Sequence, residues 1–168
     1  MKLIWNPALT LDGYIARTNG DSDWVSDEDS EFFRGLIKQA GCVIVGRKTF
    51  DQYKGDVFPV PGATTFVWTR KPAEQMAETG VEYISGEPQQ VLDLLAKKGF
   101  TEAVLAGGGQ TNGAFAPFVS EIFANIYPMT FGAGIHLLGD AICELQLKLL
   151  EVKQLSDGIC QHHYKVLH

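Results

Sequence analysis

Three short segments of the chain combine residue types suited to holding a phosphate-bearing ligand. They are Gly46-Arg47-Lys48-Thr49, Thr69-Arg70-Lys71 and Gly107-Gly108-Gly109-Gln110-Thr111, and each directly follows an apolar run. The first two offer paired cations beside a hydroxyl, groups that grip anionic oxygens well. The third offers bare main chain leading into a helical stretch. Glycines let backbone N–H groups approach a phosphate closely, and a helix start adds unbonded donors and the positive end of the dipole. Four cations at two such places, in a chain of net charge −6, point to an anionic group such as the adenosine 2′-phosphate of NADPH. Taken singly, each segment reads equally as a tight turn or a solvated rim; their shared position after strands favours binding. The glycines form neither a GxxxxGK[ST] loop nor a GxGxxG fingerprint.

A second cluster has the makings of proton chemistry. Ser26-Asp27-Glu28-Asp29 opens a helix, with a serine cap and three acids in the first turn. Asp29 lies four residues before Phe33, so the two share a helix face. A carboxyl partly desolvated beside an aromatic gains the raised pKa that a proton donor needs, and it can partner the N–H groups of a heterocycle. Serving the helix dipole is the competing role for all three acids. The sequence leaves open which of Asp27, Glu28 and Asp29 faces a cleft.

The elements that must position these residues alternate along the chain. Leu3 to Leu11 reads as a strand broken near Pro7, followed by a Gly- and Asp-rich loop from Asp12 to Asp23. Phe32, Phe33, Leu36 and Ile37 mark the buried face of the first helix, which ends at Gly41. Cys42-Val43-Ile44-Val45 and Ala103-Val104-Leu105-Ala106 are short, wholly apolar runs of the kind found in strands covered on both faces. Thr64–Trp68, Val81–Ile84 and Ile122–Ile126 read as further strands. A helix begins at Pro88 and stops at Gly99, and a helical segment is expected around Phe115 to Val119. Gln146–Val152 and Ile159–Val166 form a hairpin around Ser156-Asp157-Gly158. The expected architecture is α/β: a single three-layer αβα domain over residues 1–168, with a central, mostly parallel sheet and an antiparallel carboxyl-terminal edge. In such sheets ligands bind beyond the carboxyl ends of strands, where the three segments lie.

Bulk properties narrow the partners. Hydrophobic residues make up 45% and charged residues 20%, an ordinary globular balance. The acidic net charge disfavours nucleic acid and anionic membranes, and no run approaches the roughly 20 apolar residues of a membrane span. The amino terminus lacks a proper signal-peptide core and reads as a first strand. Cys42, Cys143 and Cys160 include no CxxC pair, which suits a reducing cytoplasm. In Cys160-Gln161-His162-His163, a strand would turn Cys160 and His162 to one face and His163 to the other, so no metal is expected.

The segments ALTLDGYIA, DW, DEDSEFF, VIVGRKTF, PVPGATTFVWTRKP and VLAGGGQTNGAFAP resemble, in order from Leu3 to about Ile126, the dihydrofolate reductases and their relatives. Pro128-Met129-Thr130-Phe131-Gly132-Ala133-Gly134 is more similar to the branch formed by the reductase domain of the riboflavin-pathway deaminase-reductase. The resemblance implies the dihydrofolate reductase-like fold and NADPH as cofactor. It implies that Ala8 and Ile15 line the nicotinamide pocket below a mobile loop beginning at Asp12. It implies that Gly46, Arg47, Lys48 and Thr49 contact cofactor phosphates and Thr69 with Arg70 the 2′-phosphate. Gly107, Gly108, Gly109, Gln110 and Thr111 would hold the pyrophosphate and nicotinamide side. Asp29 would be the catalytic acid, with Trp24 and Phe33 at the substrate. Folate-reducing members place an arginine after Pro-Gly, whereas Ala63 follows Pro61-Gly62 here. The implied activity is hydride transfer from NADPH to a small polar, pterin- or pyrimidine-like substrate, in the manner of 5-amino-6-(5-phosphoribosylamino)uracil reductase or dihydrofolate reductase. A strict dihydrofolate reductase and a non-catalytic NADP(H)-binding module are the alternatives. Riboflavin-branch relatives also imply a homodimer.

Overall fold

The computed structural model describes residues 1–72 and 78–167. Its strands are β1 (Lys2–Trp5), β2 (Ala8–Thr10), β3 (Tyr14–Ala16), β4 (Cys42–Gly46), β5 (Thr64–Trp68), β6 (Val81–Ile84), β7 (Glu102–Gly107), β8 (Glu121–Tyr127), β9 (Ile135–His136), β10 (Gln146–Gln154) and β11 (Cys160–Leu167). Its helices are α1 (Asp27–Ala40), α2 (Arg47–Tyr53), α3 (Pro88–Lys97) and α4 (Gly109–Phe115). The main sheet has the order β10-β11-β8-β1-β7-β4-β5-β6, with β2 also paired to β8. Every pair from β8 to β6 is parallel, and β8-β11-β10 form the antiparallel edge. The α/β architecture expected from the sequence is therefore present.

Alternation within the apolar runs builds the layers. Cys42 and Ile44 of β4 pack on one face with Val91 and Leu95 of α3 and Phe115 of α4. Val43 and Val45 face the other way, onto Ile37 of α1 and Phe50 of α2. All five residues of β4 are buried, which is why the strand carries no polar side chain. The Ser26 hydroxyl caps α1 by accepting from the Asp29 N–H at 3.2 Å. Gly41 ends the same helix at φ 79°, its N–H bonded to Ile37.

Three features differ from expectation. The loop from Asp12 to Asp23 contains β3, which pairs with β9 in a separate two-stranded sheet. The last helix begins at Gly109 and ends at Phe115, earlier than the segment around Phe115 to Val119, where a 3-10 turn over Ala116–Phe118 follows. And α2 rises directly from Gly46, although Arg47-Lys48-Thr49-Phe50-Asp51-Gln52-Tyr53 buries only Phe50 and so has no apolar period. The terminal hairpin turns at Ser156–Gly158 as expected.

Candidate active-site cleft

A cleft of about 2090 Å³ crosses the carboxyl ends of β1, β4, β5 and β7. This exceeds the roughly 300–1,000 Å³ of a pocket for one small ligand. All three strand-end segments line it: Gly46–Thr49, Thr69–Lys71 and Gly108–Thr111, with Gly107 buried just beneath. Thr49 ties two of them together, because its Oγ1 accepts from the Gly108 N–H at 2.8 Å. The third segment is thus less bare than the sequence suggested. The donors left there are the N–H groups of Gly109, Gln110 and Thr111, since the first intrahelical bond of α4 runs from Asn112 to Gly108. Glycine is required at two of these positions by close approach. A Cβ on Gly46 would collide with the Thr111 hydroxyl, and one on Gly109 would sit 2.8 Å from the His136 carbonyl and 3.0 Å from the Gly139 nitrogen.

The cations are distributed along the rim. Arg47 is half-buried; its Nε donates to the Asp51 carboxylate at 2.8 and 2.6 Å, and its guanidinium lies 5.6 Å from the Tyr83 ring centre. Lys48, Arg70 and Lys71 are exposed at the edge of the cleft. The Thr69 hydroxyl accepts from the Lys71 N–H at 3.3 Å.

At the α1 end the three acids part: Asp27 and Asp29 line the cleft, Glu28 does not, and of the three Asp29 alone is buried. Asp29 is 3% exposed and lines the cleft with Ser30, Phe33 and Arg34 of the same helix. Its Oδ2 accepts from Tyr127 Oη at 3.1 Å, while the Ser26 N–H donates to that same phenol oxygen at 2.9 Å. Burial pushes the Asp29 carboxyl above the usual carboxylate range, and the opposing hydrogen bond from Tyr127 does not cancel it. Burial likewise raises the Tyr127 phenol. Glu28 points elsewhere: its Oε2 accepts from the Ser156 hydroxyl at 2.5 Å and the Ser156 N–H at 3.1 Å, which holds its pKa low. Asp27 is exposed at the mouth.

Ala8, Ile15 and Phe33 line the cleft. Trp24 does not; it stands edge-on to Tyr127 and Phe131, with ring centres 4.8 and 5.4 Å away, and so backs the phenol that holds Asp29. Residues Thr18–Asp23 roof the cleft but are fastened down. Gly20 O accepts from Gln52 Nε2 at 2.9 Å, and Ser22 Oγ lies 2.6 Å from Tyr53 Oη. Asp12 anchors the start of this loop by accepting from Thr10 Oγ1 and the N–H groups of Phe131 and Gly132.

Asn6, Arg34, Tyr127 and His136 were not singled out from the sequence. Asn6 is 9% exposed and lines the cleft; its Nδ2 donates to Phe123 O at 2.8 Å, leaving Oδ1 buried without a partner. Only its place after β1 distinguishes it in the sequence. Among the described residues no group of three or more His, Cys, Asp or Glu is arranged to hold a metal, and no helix is long and apolar enough to cross a membrane.

Residues 1–57 match the family model of the RibD C-terminal domain. YwjB of Bacillus subtilis, itself uncharacterized, is 26% identical over 165 residues, 94% of each chain. The solved deaminase/5-amino-6-(5-phosphoribosylamino)uracil reductase of Thermotoga maritima superposes with a TM-score of 0.81 at 20% identity, over 99% of this chain and 56% of that one. Dihydrofolate reductase from Enterococcus faecalis, solved with NADP(H), superposes with a TM-score of 0.77 at 19% identity, over 99% and 97% of the chains. The fold is that of the dihydrofolate reductase-like proteins. Within that class, its amino-terminal third carries the pattern of the RibD C-terminal domain.

Proposed function

We propose that the chain is an NADPH-dependent reductase of the cytoplasm, one domain over residues 1–168, that transfers hydride to a small pterin- or pyrimidine-like molecule. One observation carries this reading: a single cleft runs from the buried Asp29, bonded to β8, to the cations after β5. Those strands stand four places apart in the sheet, roughly 19 Å at about 4.8 Å per strand. That length accommodates an extended dinucleotide end to end with a second small molecule.

The residues present fit the cofactor. Thr49, the first turn of α4 and the Gly108 main chain would lie along its pyrophosphate, Arg47 and Lys48 beside its phosphates, and Thr69 with Arg70 at the 2′-phosphate. Ala8 and Ile15 would meet the nicotinamide. When bound, the cofactor supplies the hydride; the protein positions, excludes water and handles the proton. Asp29, whose carboxyl burial pushes above the usual carboxylate range, would orient the substrate ring and deliver a proton to the heteroatom of the reduced double bond, directly or through water. Phe33 would pack against the ring, and Trp24 would hold Tyr127 in place behind Asp29.

The folate tail is a less natural occupant. Ala63 is half-buried against the core beside Pro61-Gly62 and offers no charge, so dihydrofolate would rely on Arg34 of α1. Steady-state oxidation of NADPH, followed against dihydropterins, dihydrofolate and aminopyrimidine ribosides, tests the proposal. Turnover of a pyrimidine or pterin above dihydrofolate is expected. Tight NADPH binding with no oxidation by any of them would indicate a binding module.

A further inference from the structure

Behind Asp29 the sheet buries two carboxamides on adjacent strands. Asn125 of β8 is fully buried and Gln161 of β11 is 5% exposed, and neither lines the cleft. The two are register partners, and Gln161 Nε2 donates to Asn125 Oδ1 at 3.0 Å. A purely structural pair would satisfy its own groups, since a buried amide without a partner is costly. Here Asn125 Nδ2 is left buried without a closed hydrogen bond.

The alternation of the strand shows where that nitrogen is directed. Phe123, Asn125 and Tyr127 share one face of β8, the face turned to α1. Phe123 stands edge-on to Phe32, with 5.4 Å between ring centres, and Tyr127 bonds Asp29 and Ser26. Phe32, Asp29 and Ser26 follow one another about one helical turn apart, so Asn125, between Phe123 and Tyr127, falls beside Asp29. Its amide favours the ionised carboxyl there. With Oδ1 turned to Gln161, the NH2 group is the end that faces the acid.

We propose that Gln161 is a positioning residue for Asp29: by holding Asn125 Oδ1, it fixes the amide with its NH2 group, and not its carbonyl, against the carboxyl. This role presupposes that Asp29 is the acid of the proposed reduction. Polarity then runs one way, from Gln161 through Asn125 to Asp29. An Asn125 amide released from Gln161 is free to turn, and its carbonyl accepts from the protonated acid and retains the proton that the substrate needs. Tyr127 and the Asn125 NH2 group hold the carboxyl from the β8 side, which leaves its cleft side to the substrate.

The test is NMR titration of the unliganded full chain, reading the Asp29 carboxyl carbon and the side-chain amides. In the native protein the side-chain amide resonances of Asn125 are expected to move with the midpoint of the Asp29 carboxyl, and those of Gln161 to follow with smaller amplitude. Gln161→Met, which keeps the volume and removes the donor, is expected to raise the Asp29 midpoint by about half a pH unit. Asn125→Leu is expected to raise it at least as far. Adding Gln161→Met to that variant is expected to raise it no further, because Gln161 acts only through Asn125. Asn125 amide resonances that ignore the Asp29 midpoint would overturn the proposal even if neither variant folds. So would a Gln161→Met midpoint at or below the native one, or an equal shift from Gln161→Met with and without Asn125, as a general loosening of the core would give. Every reading is taken without cofactor or substrate, so failure here leaves the NADPH reading intact, and failure of that reading leaves this contact measurable.

Discussion

Tyr127 Oη donates a 3.1 Å hydrogen bond to Asp29 Oδ2, the carboxyl of a residue only 3% exposed. The bond favours the ionised form while burial disfavours it. Tyr127→Phe removes only the stabilising half. Carbon-detected NMR titration of the Asp29 carboxyl is expected to show a pKa above the usual carboxylate range in the native protein, and a higher one in the variant. An unchanged titration would mean that the phenol does not tune the acid.

The same elevation fixes how stability depends on pH. A group with a folded-state pKa above its unfolded value binds protons more tightly when folded, so its contribution is full below the unfolded pKa and is lost as pH rises through the folded one. Asp29→Asn abolishes this dependence. In urea unfolding from acid to neutral pH, the variant is expected to gain stability relative to the native protein as pH rises past the ordinary carboxylate value. A difference constant across that range would contradict the burial of Asp29 in ionised form.

Two glycines should respond oppositely to alanine. At Gly109 a Cβ meets main-chain atoms of His136 and Gly139, which cannot move aside singly, so Gly109→Ala is expected to cost about 1–3 kcal/mol and to weaken NADPH binding. At Gly35, within α1, a Cβ meets nothing within 4 Å, so Gly35→Ala is expected to stabilise by about 0.5–1 kcal/mol. Urea titration of both variants checks the pair.

The roof of the cleft depends on Tyr53. Its hydroxyl reaches both Ser22 Oγ and Gly20 O, at 2.6 and 3.3 Å. Tyr53→Phe is expected to cost only about 1 kcal/mol of global stability, yet to speed amide exchange in residues 17–23 at least tenfold. Exchange confined to native rates there would show that β3 and Asp12 suffice to hold the loop.

How far this was legible in the sequence follows from what each element buries. Cys42–Gly46 and Glu102–Gly107 are covered on both faces, and their unbroken apolar character announced them. The cap at Ser26 set the start of α1, but helical phase alone did not separate Asp27, Glu28 and Asp29; Tyr127, nearly a hundred residues away, does so. β3 and β9 are too short for any periodicity, and α2 hides because a single phenylalanine anchors it. Thr49 read as a ligand contact, and only the fold shows that its hydroxyl also accepts from the Gly108 N–H. Trp24 lay beside a recognisable motif, and only packing shows that it supports Tyr127 instead of facing the cleft. Asn6 had only its place after β1 to mark it, since an unpartnered Oδ1 is a property of tertiary structure alone.

Isothermal titration of the purified chain with NADPH and with NADH tests the central claim most directly. NADPH is expected to bind at least tenfold more tightly than NADH, and Arg70→Ala to narrow that ratio while leaving NADH affinity within about twofold. Equal affinity for the two would contradict the 2′-phosphate site after β5, and binding of neither would contradict the cofactor cleft itself.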